Sequence, residues 1–314
     1  MRALFLGTPD FAVPTLQALL DAPDVQVVGV ITQPDRPAGR GRKLTTPPVK
    51  RLALQHGLPV LQPERLRKSS QVIDFLQERA PDLAVVAAYG QILPASFFDH
   101  PPLGTLNVHA SLLPKYRGAA PVVHALLNGE RETGVTIMRI DAGLDTGAIL
   151  AALKVPIEEN TTAGELEQVL AEKGAALLID TLPGYAAGRR IPQPQNDLMA
   201  SYAHRLKKDD ARIDWSQPST AVHNRIRAFN PRPGAFTVFR GEAVKIWLSR
   251  KRPVTPIESA VPGQVLARET HAILVGCGNG TVVAILELQL PNRRRSSASD
   301  FANGVGLKRG EVFA

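Results

Sequence analysis

One cysteine, Cys277, stands in 314 residues. The chain can therefore close no internal disulfide and build no cysteine-based zinc site. It also has no run of about 18 apolar residues, which excludes a membrane-spanning helix from the sequence-based reading. The apolar stretch 3–6 is followed at once by Gly7-Thr8-Pro9-Asp10. That falls short of the roughly 7 residues a secretory core needs, so no leader is expected. No internal repeat is visible either. What remains is an ordinary globular balance, 44% apolar and 21% charged residues, long enough for two domains with buried cores. A cytoplasmic enzyme is the expectation.

Charge is unevenly placed. Residues 1–200 carry 19 Lys/Arg against 20 Asp/Glu, whereas residues 201–314 carry 18 against 9. The whole net charge of +8 thus resides in the last third. An asymmetry of this kind points to a polyanionic partner or to a solvated basic surface.

The first half alternates strand-like and helix-like segments. Strands are expected at 2–7, 25–32, 58–61, 83–88, 104–109 and 134–140, and helices at 11–21, 69–79 and 121–128. That alternation argues for βαβ units and a parallel sheet. Thr162 and Glu165 have the form of a capping box, opening a long helix expected to end before Pro183-Gly184. Residues 189–205 are polar and proline-rich and read as an extended linker. Beyond one helix near 220–229 come short strands divided by turns. Asn279-Gly280 between apolar runs signals a hairpin, and no helix pattern follows Gly276-x-Gly278-x-Gly280 to support a phosphate loop. The expected organisation is α/β: a first domain at 1–188, a linker at 189–205, and a small antiparallel barrel at 206–314.

Two basic, glycine- or proline-flanked segments stand out. In 33–48, Arg36, Arg40, Arg42 and Lys43 are accompanied by one acid, Asp35. A connection of about sixteen residues between a strand and a helix is long enough to suggest function. The other segment is Arg293-Arg294-Arg295-Ser296-Ser297.

Chemistry concentrates in Asn107-Val108-His109-Ala110-Ser111-Leu112-Leu113-Pro114-Lys115-Tyr116-Arg117-Gly118. In parallel sheets ligands bind at the carboxyl ends of strands, and residues i and i+2 share a face. Asn107 and His109 would then project together, an amide donor beside an imidazole, suited to an oxyanion and to proton transfer. The loop Asp141-Ala142-Gly143-Leu144-Asp145-Thr146-Gly147 can bring a carboxylate to that imidazole. Asp141 reads as an ordinary turn residue. No third carboxylate joins the pair, so no metal is expected. Ser111 lacks the Gly-x-Ser-x-Gly elbow of a hydrolase nucleophile.

These stretches resemble the 10-formyltetrahydrofolate-dependent formyltransferase family. The similarity rests on Asn107-Val108-His109, Ser111-Leu112-Leu113-Pro114 and Asp145-Thr146-Gly147. It narrows to members acting on methionyl initiator tRNA through Gly7-Thr8-Pro9-Asp10-Phe11, Gln33-Pro34-Asp35-Arg36-Pro37, Ala211-Arg212-Ile213-Asp214-Trp215 and Arg227-Ala228-Phe229-Asn230-Pro231. The resemblance implies a Rossmann-like formyltransferase domain followed by an OB-like β-barrel. It implies Asn107, His109 and Asp145 as catalytic residues, and 10-formyltetrahydrofolate as a consumed co-substrate with no metal. Folate contacts are implied at Ser111, Leu112, Leu113, Pro114, Tyr89, Gly90, Gln91 and Ile92. Contacts to methionyl initiator tRNA are expected from Arg36, Arg40, Arg42, Lys43, Lys207 and Lys208, in a monomeric enzyme with no membrane partner. The segment after Pro291, with its triple arginine, departs from the family pattern. A formyltransferase for a small amine would leave the basic C-terminal third unexplained, and a non-enzymatic RNA-binding protein would leave the Asn/His/Asp set without a task.

Overall fold

The computed structural model describes residues 1–38, 43–67, 69–252 and 261–314. The chain separates into two units. The first comprises 1–121, 132–156 and 167–203; the second comprises 122–131, 157–166 and 204–314. Arg40 and Arg42 lie outside the described residues.

In the first unit the chain forms β1 (Arg2–Gly7), α1 (Val13–Asp21), β2 (Gln26–Ile31) and a hairpin of β3 (Arg36–Ala38) and β4 (Lys43–Thr45). The two strands occupy part of the span 33–48 read as a bare loop, and α2 (Pro48–Gln55) begins at its end. Then come β5 (Val60–Leu61), α3 (Ser70–Arg79), β6 (Leu83–Ala87), α4 (Ala95–Phe98), β7 (Thr105–His109) and β8 (Arg117–Gly118). After α5 (Pro121–Leu127) follow β9 (Glu132–Arg139) and β10 (Ile149–Pro156), then α6 (Ala163–Ala186) and β11 (Tyr202–Ala203). The main sheet has the order β10-β9-β7-β6-β1-β2-β5.

The five strands from β7 to β5 are parallel, as the alternating pattern predicts. The expectation of a parallel sheet fails at one edge: β9 pairs antiparallel with β7, and β10 antiparallel with β9. A parallel return needs a crossover, usually a helix packed on the sheet. Most of α5, the helix between β7 and β9, clusters with the second unit instead. All of β6 is buried, and one side of the sheet packs Leu4, Leu6, Ile31, Ala84 and Val86 against Val72, Leu76 and Phe97.

The capping box is present: Thr162 N donates to Glu165 Oε2 at 2.8 Å, and Glu165 N to Thr162 Oγ1 at 3.4 Å. The helix does not stop before Pro183, however, but runs through it to Ala186. Proline removes one backbone donor. The last turn is held from outside by the Tyr185 hydroxyl, which donates to Leu103 O at 2.7 Å. The segment read as a linker is extended but not loose. Gln193 and Ile149 exchange backbone hydrogen bonds at 2.7 and 2.8 Å, and β11 pairs in parallel with β8.

The second unit contains α7 (Ser219–Ala228), β12 (Ala235–Phe239), β13 (Glu242–Lys251), β14 (Val265–Arg268), β15 (Ile273–Gly276), β16 (Val282–Gln289), β17 (Ser296–Ser297) and α8 (Ala298–Val305). Its antiparallel strands follow the order β12-β13-β16-β15-β14, with β17 added to β16. The expected hairpin is there. Asn279 and Gly280 take φ of 57° and 66°, the two left-handed positions a tight β-turn of this kind requires. Among the described residues no ladder joins β12 to β14, so the expected barrel is an open antiparallel sheet. The last four residues span its two edges. Val265 N donates to Glu311 O, Phe313 N to Gly263 O, and Ala314 and Val238 exchange bonds at 2.8 Å. Phe313 is buried against Trp215 and Phe239.

Candidate active site

Strand order places a switch point between β1 and β6: the chain leaves β1 toward β2 on one side and leaves β6 toward β7 on the other. Such a crevice, at the carboxyl ends of adjacent parallel strands, is where open α/β sheets bind ligands. The loops that rim it are tied together. Thr8 Oγ1 donates to Tyr89 O at 3.0 Å, Gln33 Nε2 donates to the same oxygen at 3.3 Å, and Gln33 N donates to Thr8 Oγ1 at 3.4 Å. Gln91 is anchored too, accepting from Leu66 N and donating to Pro63 O and Glu64 O.

One strand further along, β7 ends at His109. Asn107 and His109 are two residues apart and so lie on one face of the sheet. Asn107 is half-buried and its side chain forms no hydrogen bond among the described residues. His109 is buried, with both ring nitrogens facing protein groups. Its Nε2 lies 3.0 Å from Tyr116 O and its Nδ1 lies 3.7 Å from Asp145 Oδ2. A carbonyl can only accept, so Nε2 carries hydrogen and Nδ1 is the nitrogen free for chemistry. Asp145 Oδ2 accepts from Gly118 N at 2.8 Å.

The short segment 116–118 thus bonds both partners, the imidazole through one carbonyl and the carboxylate through one amide. It is held in an unusual conformation: Tyr116 has φ of 61°, Gly118 of 116° and Asp145 of 52°. Non-glycine residues at positive φ cost free energy and collect at functional sites. Gly147 has a separate reason. A Cβ there would sit 1.9 Å from Arg139 O, so no side chain fits. Asp141 serves its loop, accepting from Gly143 N and Thr146 Oγ1.

Two residues with no role assigned from sequence complete the frame. Gln195 Nε2 donates to Asp145 O and to Gly147 O, both at 2.8 Å. Its Oε1 accepts from the buried Arg117 guanidinium at 2.8 and 3.1 Å, and Arg117 also pairs with Asp197 at 2.7 Å. Arg117 sits in the motif read for its neighbours, and Gln195 in the stretch read as a linker. No spacing rule in the sequence links them to Asp145.

The implied folate residues are placed unequally. Ser111 is buried with its hydroxyl donating to Lys115 O at 2.6 Å, and Leu113 is buried as well. Leu112 and Pro114 are half-buried. Tyr89 turns into the core with its hydroxyl unpartnered among the described residues, and burial drives that hydroxyl well above the usual phenol range. Only its backbone carbonyl meets the crevice loops. Gly90 has φ of 85°, and Ile92 is 87% exposed. Of the basic set, Arg36 is exposed and donates to Gln33 Oε1, while Lys207 and Lys208 are exposed in the second unit. Of Lys43 only the backbone is described, in β4. Asp35, the acid in that segment, is taken by Gln62 and Lys50, whose hydrogen bonds hold its carboxyl below the usual range. Among the described residues, no group of three or more metal-ligating side chains occurs, and no helix is long and apolar enough to cross a membrane. Burial pushes the Cys277 thiol up to about 12, which removes it as a nucleophile.

The formyl transferase family model matches residues 1–182, and its C-terminal domain model matches 205–306. A methionyl-tRNA formyltransferase from Solibacter usitatus is 50% identical over 311 residues, covering 99% of this chain and 98% of the relative. The chain belongs to the methionyl-tRNA formyltransferase family. A Bacillus subtilis member is 43% identical over 99% of this chain and 97% of its own. Among solved structures, a methionyl-tRNA formyltransferase from Clostridium thermocellum superposes with a TM-score of 0.57 at 14% identity, covering 92% of this chain and 98% of that one. A sugar 3N-formyl transferase does so with 0.66 at 21% identity, covering 94% and 99%. Those two likenesses speak for the formyltransferase fold.

Proposed function

We propose that Asn107, His109 and Asp145 carry formyl transfer from 10-formyltetrahydrofolate to the free α-amine of methionyl initiator tRNA. The observation that carries this reading is the pairing of His109 Nδ1 with Asp145 Oδ2 across 3.7 Å, held by the 116–118 segment beside the unpartnered amide of Asn107.

The neutral amine attacks the formyl carbon, and the carbonyl electrons move to oxygen. Asn107 donates to that oxyanion, as does His109 through a protonated Nδ1, since Nε2 is committed to Tyr116. Asp145 stabilises the imidazolium and assists departure of the amine proton. Collapse of the tetrahedral intermediate breaks the bond from carbon to the folate nitrogen, which takes up a proton. The folate occupies the crevice between the loops after β1 and β6, with Gly90, Gln91, Ile92 and the backbone of Tyr89 on one side and Ser111–Pro114 on the other. Arg36, Arg40, Arg42 and Lys43 reach the acceptor end, and the basic C-terminal third, from 206, attracts the rest of the tRNA. The enzyme acts as a monomer in the cytoplasm.

Incubation with 10-formyltetrahydrofolate and initiator tRNA, followed by mass measurement, tests the reading. Charged tRNA gains one formyl group and uncharged tRNA none. His109→Ala and Asp145→Asn each lower kcat by about 10²–10³, the usual cost of losing one donor or base at such a centre. Turnover close to that of the parent in both variants would refute the assignment.

A further inference from the structure

The triple arginine at 293–295 has no part in the chemistry above, and in the structure it is built into something specific. Arg295 places its guanidinium carbon 3.7 Å from the centroid of the Trp247 ring. Lys245 brings its ammonium to within 5.2 Å of the same ring and donates to Pro233 O at 2.5 Å. The indole N–H donates to Gln289 Oε1 at 3.0 Å, and the amide of Gln289 in turn donates to Arg293 O at 2.7 Å. One glutamine therefore fixes both the ring and the turn that carries the arginines. Trp247 is buried, whereas Lys245 and the three arginines are exposed.

Like charges are crowded here with little to offset them. Glu287 approaches Arg295 at 3.9 Å, and Arg293 and Arg294 form no ion pair among the described residues. The Lys245 ammonium is pulled below the ordinary lysine range, first by burial and then by Arg295 and Lys208. A guanidinium over an indole face is held in place by the ring, and arginine suits bidentate contact with phosphate.

We infer that Lys245 and Arg295, mounted on Trp247, form a phosphate-binding patch for the tRNA backbone. The inference rests on the proposed substrate, and it gives a role to the triple-arginine segment, which lies inside the stretch matched by the family's C-terminal domain model. Contact is with phosphates rather than bases, so it adds affinity and orientation without reading sequence.

The test uses the full chain with Lys245→Ala, Arg295→Ala, Arg295→Lys and, as an exposed cation elsewhere, Lys173→Ala. Binding of uncharged initiator tRNA is followed against salt, and formyl transfer is followed separately. Each alanine variant at 245 or 295 is expected to weaken binding several-fold and to reduce the slope of log Kd against log salt by about 1. KM for charged tRNA rises in step, while kcat at saturating tRNA and KM for the formyl donor stay at the parent values. Arg295→Lys keeps the slope, and Lys173→Ala changes nothing. Parent-like Kd and slope in both alanine variants would overturn the patch, as would a fall in thermal stability with tRNA binding intact. Because binding is read on uncharged tRNA, failure of the patch and failure of the catalytic assignment give different results.

Discussion

At His109 the Tyr116 carbonyl takes the Nε2 hydrogen, which leaves Nδ1 to answer to Asp145. The carboxylate is in turn aimed by the loop around it, and that loop is pinned by Gln195 through two carbonyls. Gln195 touches no reacting atom in this scheme; it is a positioning residue. Removing it frees a segment that holds Asp145 at a positive φ, so the carboxylate drifts from the ring. Gln195→Ala is expected to lower kcat by about tenfold or more, since small misplacements at a reacting centre are costly. KM for the formyl donor should stay unchanged. Gln195→Glu, which keeps the acceptor for Arg117 but loses the amide donors, should fail to rescue. A parent-like kcat in Gln195→Ala would remove this role.

Elements show where local pattern suffices and where it does not. The strand at 2–7 was readable to the residue, and the Asn279-Gly280 hairpin was readable because both positions need the left-handed conformation that these residue types accept. The end of α6 was not readable. Proline argues for a stop, yet the helix runs three residues past it, and there Tyr185 bonds Leu103 O across the fold. The direction of β9 was equally hidden, because its own residues look the same whichever way the neighbour runs. At the C-terminus, Glu311 to Ala314 bond both free edges of the second unit's sheet, and Phe313 fills the space between Trp215 and Phe239. Phe313→Ala is expected to cost about 3–5 kcal/mol through the cavity it leaves. Denaturant unfolding should show that loss in the transition of the C-terminal unit. A loss under about 1 kcal/mol would mean the tail is not part of the core.

Across the whole molecule, charge divides between a nearly neutral first two thirds and a last third with twice as many cations as anions. That division predicts different responses to salt. Raising salt from about 50 to 200 mM should raise KM for charged initiator tRNA steeply, since each phosphate contact contributes close to one unit of slope. KM for the formyl donor should change little over that range. Equal responses of the two substrates would contradict the division. The amino-acid sequence alone determined the α/β class, the antiparallel second half, the charge split and the residue types Asn107, His109 and Asp145. All of these depend on neighbours along the chain or on composition. Only the tertiary structure decided that His109 faces Asp145, that Tyr116 and Gly118 hold the two in place, that Gln195 and Arg117 brace them, and that Arg295 lies on Trp247. Apart from His109 with Tyr116, seven positions apart, those pairings join residues 27 to 78 positions apart in the first unit and 48 apart in the second. Hydrogen bonds and ring contacts at that range follow from how sheets and loops pack, which no local periodicity encodes.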